Sequence, residues 1–352
     1  MRRVMVVLLM ASVIPFGAPG PTRALPQGLD VSTYKSGLNF PVDMAWVPGT
    51  KRIFFTEKTG KIRVMDGNNL RSKACRSIDV NSDGERGLLG IVLHPNFGTN
   101  HWLYVYYSNA SPLENRVTRF TVENGRCKNK NHIVKGISAA SSGYHNGGQL
   151  EFVGGKLFVS TGEKHNPPLA QQKRNRLGKI LRYNPDGSVP SGNPFNRSGN
   201  KNPVWSYGHR NPFGLTHKPG SNILIETENG PGCDDEMNNI RKGRNYGWGN
   251  GDGCGPGGTG RNPKEPLWRW SNIVVPTDPW WYRGPLKRLN NSVFVGEYSS
   301  GRLHKFKLSK NGNNVRKHSV TFNNPDGILD VSEGPGGNLY FLTNHSIRKI
   351  HK

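Results

Sequence analysis

The chain has 352 residues, enough for two or three ordinary domains or for one large all-β fold. Its 45 glycines and 25 prolines argue against a helical bundle, and the glycines keep no three-residue period, which excludes collagen. A formal charge of +24 favours anionic partners, but the basic residues are scattered without zinc-finger spacing, a basic helical face or an aromatic–basic RNA-binding pattern, so no specific nucleic-acid binding is expected.

At the N-terminus, Arg2 and Arg3 precede an apolar run from Val4 to Phe16, and small and turn residues lead to Thr22-Arg23-Ala24. This order predicts a secretory signal peptide over residues 1–24, cleaved after Ala24. The apolar run is too short to span a bilayer comfortably. The mature chain, beginning near Leu25, is expected to be secreted or periplasmic, with no transmembrane anchor once the leader is removed. Left uncleaved, the same segment would be an anchor.

Export bears on Cys75, Cys127, Cys233 and Cys254. An even count in an oxidising compartment predicts two disulfides, and four cysteines allow three pairings. Cys233–Cys254 closes a local loop and is favoured, which leaves Cys75–Cys127. There is no CxxC pair, so a zinc site is not expected.

From residue 43 onward a pattern recurs: a short apolar strand, a Gly/Pro/Asn turn, a second strand ending in a small polar residue, another turn, and a third strand. Residues 43–65 carry it, as do 149–163 with 179–183, and 328–350; partial copies fall at 88–121, 214–226 and 292–308. Each unit is a small antiparallel meander that cannot bury both faces alone, and repetition around an axis hides them. The expectation is an all-β fold, a six-bladed β-propeller, filling residues 25–352 as one domain. An irregular β-sandwich is the alternative.

Four loops hold the chemistry-bearing residues. Gly84-Glu85-Arg-Gly-Leu-Leu-Gly90 is followed by His94-Pro-Asn-Phe97. In Gly143-Tyr-His145-Asn-Gly-Gly148 a histidine sits among glycines just before a strand, as a general base near neutral pH would require. Glu163 ends the next strand and is placed to orient that ring. Ser206-Tyr-Gly-His-Arg210-Asn211-Pro-Phe-Gly214 offers a guanidinium and an amide for carbonyl or carboxylate oxygens. Residues 228–238, with Asp234, Asp235 and Glu236, gather hard oxygen ligands suited to Ca2+, without EF-hand spacing.

The order and spacing of these motifs resemble the soluble quinoprotein glucose/sorbosone dehydrogenases, the PQQ-dependent aldose sugar dehydrogenases. The carrying residues are Gly87-Leu-Leu-Gly90, His94–Phe97, His145-Asn-Gly-Gly148, Leu177–Gly187, Gly208–Pro212, and Gly230-Pro231 through Asp234-Asp-Glu236 to Asn245-Tyr-Gly-Trp248. The resemblance spans roughly residues 36–350 and implies a six-bladed propeller with PQQ and Ca2+ over its channel. It implies oxidation of a small-molecule sugar at C1 to a lactone, hydride passing to the quinone, and an external electron acceptor. His145 is then the base, Glu163 its supporting carboxylate where Asp is usual, and Arg210 and Asn211 contacts to the quinone oxygens. Glu85 occupies a cofactor-binding position usually held by Gln. The carbonyls of Gly230 and Pro231 would bind the cofactor's calcium, and Glu236 a second, structural one.

The match breaks where an Arg-x-Arg-Asp-Val motif usually holds the PQQ carboxylates. Here Gly327 and Leu329 replace both arginines, and Ser299 stands where a lysine is usual. Each lost charge-assisted contact costs about 1.5–3 kcal/mol. Two functions therefore remain open: an exported PQQ- and Ca2+-dependent sugar dehydrogenase, favoured by His145 and Arg210, and a non-enzymatic calcium-stabilised propeller that binds a glycan or protein, favoured by the missing anchors.

Overall fold

The computed structural model describes residues 25–250, 253–255 and 258–352. The expected leader, residues 1–24, lies outside the described residues. Six small antiparallel sheets follow one another around a ring as the blades of a propeller.

Blade 1 runs outward from Pro41–Trp46 through Arg52–Glu57 and Lys61–Asp66, with Asn69–Leu70 and Arg76–Ser77 both pairing the third strand. Blade 2 is Leu88–Leu93, Trp102–Asn109, Glu114–Glu123 and Arg126–Ser138. Blade 3 is Leu150–Val153, Lys156–Thr161, Lys179–Tyr183 and Val204–Tyr207. Blade 4 is Pro212–His217, Leu224–Glu228, Asp235–Ile240 and Trp268–Trp270, and blade 5 is Trp280–Tyr282, Ser292–Gly296, Arg302–Leu308 and Val315–Asn323. Blade 6 takes Asp330–Glu333, Leu339–Leu342 and Ser346–His351 from the C-terminal end. Its outer strand, Asp30–Ser36, comes from the other end of the chain and pairs Asp30 with His351 and Ser36 with Ser346. This strand latches the ring shut, so no blade is left with a broken neighbour.

The ring explains why the middle strands are apolar on both faces. In Arg52–Glu57 successive side chains point to opposite sides of the sheet. Phe54 packs against Leu88, Ile91 and Val105 of blade 2. Ile53 and Phe55 pack the other way, against Tyr340, Leu342 and Ile347 of blade 6. All three are fully buried, and truncating such a phenylalanine costs about 3–5 kcal/mol. Among the described residues the α-helices are two four-residue turns, Phe97–Asn100 and Pro168–Gln171, and no helix is long and apolar enough to cross a membrane. Both disulfides pair as expected, Cys75–Cys127 and Cys233–Cys254.

Carboxylates rivet neighbouring blades along the channel. Asp43 accepts the Ile91 N–H at 2.6 Å, Asp330 the Met44 N–H at 3.0 Å, and Asp278 the Leu215 N–H at 2.8 Å. Their oxygens converge within 4.8 Å of one another. Burial pushes Asp43 up to about 7, and burial with the neighbouring carboxylates pushes Asp278 and Asp330 well up. The six inner strands start at one mouth of the channel, so the loops that precede them gather there.

Candidate active site

The loop into blade 3 brings His145 to that mouth. His145 has a left-handed backbone (φ 55), and a Cβ on Gly147 would lie 2.7 Å from the Gly162 nitrogen, so the turn requires glycine there. The imidazole Nδ1 lies 2.6 Å from Glu163 Oε1, and the other Glu163 oxygen accepts the Asn166 N–H at 2.6 Å. Glu163 is fully buried and His145 is 5% exposed. With Nδ1–H committed to Glu163, Nε2 is the ring atom left for a ligand. The exposed His165 ring stands edge-on to His145 at 4.0 Å, held below its ordinary pKa by burial and by His145.

The loop into blade 4 supplies Arg210 beside this pair, its carbonyl accepting the Glu163 N–H at 2.9 Å. The guanidinium donates to the Asn229 carbonyl at 2.9 Å and lies 5.4 Å from the Trp248 ring. Burial lowers its pKa, opposed by the carboxylates of Glu163, Glu85, Glu228 and Asp235. Glu228, pushed up to about 8 by burial, accepts the Arg210 backbone N–H at 3.1 Å.

Glu85 and Asn211 support the site from behind. Glu85 Oε2 accepts both the His145 N–H and an Asn211 Nδ2–H, while Asn211 Oδ1 accepts the Gly147 N–H at 3.0 Å. Neither residue lines the cavities at this mouth. One of these, about 250 Å³, is walled by His145, Glu163, His165, Arg210, Pro231 and Trp248. A second, about 260 Å³, shares Arg210, Pro231 and Trp248 and adds Gly230, Glu228 and Glu236. A larger cavity of about 960 Å³ opens among Trp46, His94, Trp280 and Glu333, at the opposite ends of the inner strands and away from His145.

The acidic loop is held by Asp235, whose oxygens accept the N–H groups of Gly230 at 2.7 Å, Val274 at 2.7 Å and Val275 at 2.8 Å. Gly230 and Pro231 are thereby fixed at the cavity wall. Glu236 faces Arg269 at 3.5 Å. Asn229 Oδ1 and Trp248 Nε1 are buried without a hydrogen-bond partner in residues that line this cavity. Orphaned polar atoms on a cavity wall, next to two clamped loop residues, fit an oxygen-bound cation and a polar ligand.

The positions of the usual carboxylate anchors are held by other contacts. Gly327 has φ 73, and a Cβ there would lie 2.6 Å from the Tyr298 carbonyl oxygen, so the backbone itself rejects an arginine. Leu329 is buried with Met44 and Tyr340, and Ser299 Oγ donates to the Val274 carbonyl at 2.8 Å. Sequence reasoning did not single out His165, although it lies two residues beyond Glu163. Nor did it assign a role to Trp248 or Glu228, which stood only as members of longer motifs.

Residues 38–352 match the family described as Glucose / Sorbosone dehydrogenase. An aldose sugar dehydrogenase of Escherichia coli strain K12 is 29% identical over 94% of both chains. Quinoprotein glucose dehydrogenase B of Acinetobacter calcoaceticus is 31% identical over 65% of this chain and 54% of its own. The aldose sugar dehydrogenase of Streptomyces coelicolor, solved in a PQQ-bound form, superposes with a TM-score of 0.79 at 28% identity, covering 93% of this chain and 99% of that one. With the propeller and the mouth geometry in agreement, the chain belongs to the glucose/sorbosone dehydrogenase family.

Proposed function

We propose that this protein is an exported, PQQ- and Ca2+-dependent dehydrogenase that oxidises aldose sugars at C1 to lactones. The observation that carries the reading is the buried His145–Glu163 pair, 2.6 Å apart, opening on a cavity that it shares with Arg210. Two disulfides suit an oxidising compartment, and the relatives named above are sugar dehydrogenases.

In this reading the sugar's C1 hydroxyl approaches His145 Nε2, which takes its proton. Glu163 holds the Nδ1–H, fixes the ring and stabilises the imidazolium that forms. Arg210 places positive charge where negative charge grows on an acceptor oxygen. The carbonyls of Gly230 and Pro231 would hold the calcium, and Glu236 a structural one if it exchanged Arg269 for the ion. Glu85 and Asn211 act by fixing the His145 backbone. PQQ, when bound, supplies the two-electron acceptor for hydride leaving C1, and an external acceptor reoxidises it.

A second reading, a calcium-stabilised propeller that binds a glycan or protein, draws on the anchor positions held by Gly327, Leu329 and Ser299. One experiment separates them. Purified mature protein is loaded with PQQ and Ca2+ and offered a panel of aldoses with an artificial electron acceptor. Acceptor reduction that requires PQQ and sugar supports the dehydrogenase. A panel with no reduction leaves the binding reading.

A further inference from the structure

Blade 4 encloses a cluster that this chemistry does not use. Glu226 sits in the middle of the strand Leu224–Glu228, on the same face as Leu224, which packs against Val153, Phe158 and Ile180 of blade 3. A charged residue in that apolar seam is out of place. Glu226 is fully buried, and neither of its carboxylate oxygens has a hydrogen-bond partner.

His209 lies beside it, also fully buried. Its Nε2 pairs with Ser206 Oγ at 2.9 Å, and its ring stacks on Tyr246 at 4.7 Å. Its Nδ1 has no hydrogen-bond partner. The nearest carboxylate oxygen, Glu228 Oε2, is 3.5 Å away. Ligand atoms of His209, Glu226 and Glu228 all lie within 4.8 Å of one another. Across the register from Glu226, Asn238 gives its Nδ2–H to Glu236 and keeps an unpaired Oδ1.

Hydrogen bonding does not resolve this cluster. Burial, then the neighbouring Glu228 charge, drives the Glu226 carboxyl well up against the opposing pull of the Asn238 side chain, so the two glutamates resist ionising together. Nearby cations are engaged elsewhere: the Lys179 ammonium donates to the carbonyls of Leu169, Ala170 and Leu177, and Arg210 donates to Asn229. Burial and Lys179 push the His209 imidazole down to about 3, which leaves it neutral with a lone pair to give.

We infer that His209 Nδ1, Glu226 and Glu228 bind one Zn2+ ion inside blade 4. A tetrahedral ion with nitrogen and oxygen ligands at about 2.0–2.2 Å holds them about 3.4 Å apart. The His209–Glu228 separation of 3.5 Å is long for a hydrogen bond and right for two ligands of one ion. A metal-bound histidine donates its other N–H to a fixed acceptor, and Ser206 Oγ is that acceptor. An imidazole nitrogen with two carboxylates selects zinc over calcium, which takes six to eight oxygens. None of the ligands is a cysteine, so the absence of CxxC pairs does not bear on the site. Because Glu228 also accepts the Arg210 N–H, the ion braces the loop that carries Arg210.

The test uses the full mature chain, stripped with a chelator, dialysed against Zn2+ or Ca2+ and then against buffer, with metal content read by plasma mass spectrometry. The expected result is one retained equivalent of zinc in the wild type and in Glu123→Gln, an exposed carboxylate on blade 2, and a loss of at least tenfold in zinc affinity in Glu226→Gln. Crystals of the zinc-loaded wild type should show an anomalous peak at the zinc edge between His209 and Glu226. That map decides the matter if Glu226→Gln does not fold. Wild type that retains no zinc, zinc retained equally by folded Glu226→Gln, or a peak elsewhere overturns the assignment. None of these readouts depends on sugar oxidation, so the site stands or falls apart from the dehydrogenase reading.

Discussion

Glu85 Oε2 accepts the backbone N–H of His145 at 2.8 Å while also taking an Asn211 Nδ2–H at 3.1 Å. One carboxylate from the loop before blade 2 thus sets the backbone before blade 3 and the side chain before blade 4. A left-handed histidine is held in place by a carboxylate that bonds its backbone.

Replacing that carboxylate separates its two properties. Glu85→Ala leaves two inward-facing donors without an acceptor, at about 1–3 kcal/mol each, so urea unfolding should show a loss of about 2–6 kcal/mol. Glu85→Gln keeps one carbonyl acceptor and should lose less than half as much. Equal losses in the two variants would show that charge, and not acceptor geometry, is what the site uses.

The channel carboxylates predict a pH dependence of stability. Asp43 rises from 3.8 in an ordinary setting to about 7 in the fold, chiefly through burial. Between those values the folded state holds the proton and the unfolded state has lost it. Stability is therefore full below the ordinary value, falls as pH rises, and levels off above about 7, by up to about 1.4 kcal/mol per pH unit for one proton. Asp278 and Asp330 are shifted in the same direction and add to the slope. Urea titrations from pH 4.5 to 8 should show this slope, and Asp43→Asn should flatten it by about one proton even though the variant is less stable overall. An unchanged slope in Asp43→Asn would place the titration elsewhere.

Much of this molecule is legible in its sequence because each blade repeats the same local solution. Asp-Met-Ala-Trp before Arg-Ile-Phe-Phe is readable as paired strands, since turn residues and apolar runs are local signals. The closing strand Asp30–Ser36 is not readable in the same way. It has no fully buried residue, carries no apolar run, and finds its partner at Ser346–His351 through ring closure alone. The His145–Glu163 pair is legible because both residues sit at loop–strand junctions 18 positions apart. Glu226 is not, because a polar residue in a strand reads as a solvent-facing position until the neighbouring blade is in place. The rejection of a side chain at Gly327 likewise depends on the Tyr298 carbonyl, which only the fold brings near.

On the proposed calcium site, the shape of the ligand loop depends on Asp235, which bonds Gly230, Val274 and Val275 at once. Calcium that binds only the folded chain stabilises it by about 2.7 kcal/mol at one hundred times its Kd. EDTA should lower the melting temperature, and Ca2+ should restore it in the wild type. Asp235→Ala frees the Gly230 backbone, so the calcium-dependent part of the melting shift should shrink or vanish. Wild-type melting that ignores EDTA and Ca2+ across a titration would remove calcium from this loop.

The last prediction concerns His145 and Glu163. A general base must be neutral before transfer and stable as a cation after it. The 2.6 Å contact between Nδ1 and Glu163 serves both needs, by selecting the tautomer with Nε2 free and by stabilising the imidazolium. With PQQ and Ca2+ supplied, His145→Ala should lower turnover by about 10²–10⁴. Glu163→Gln keeps a hydrogen-bond acceptor for Nδ1–H but removes the charge that stabilises the imidazolium, so it should lower turnover by less than His145→Ala does. Arg210→Ala should also cut turnover, because it removes the positive charge beside the acceptor oxygen. Full turnover in His145→Ala, with active wild type alongside, would take the proton transfer away from this histidine.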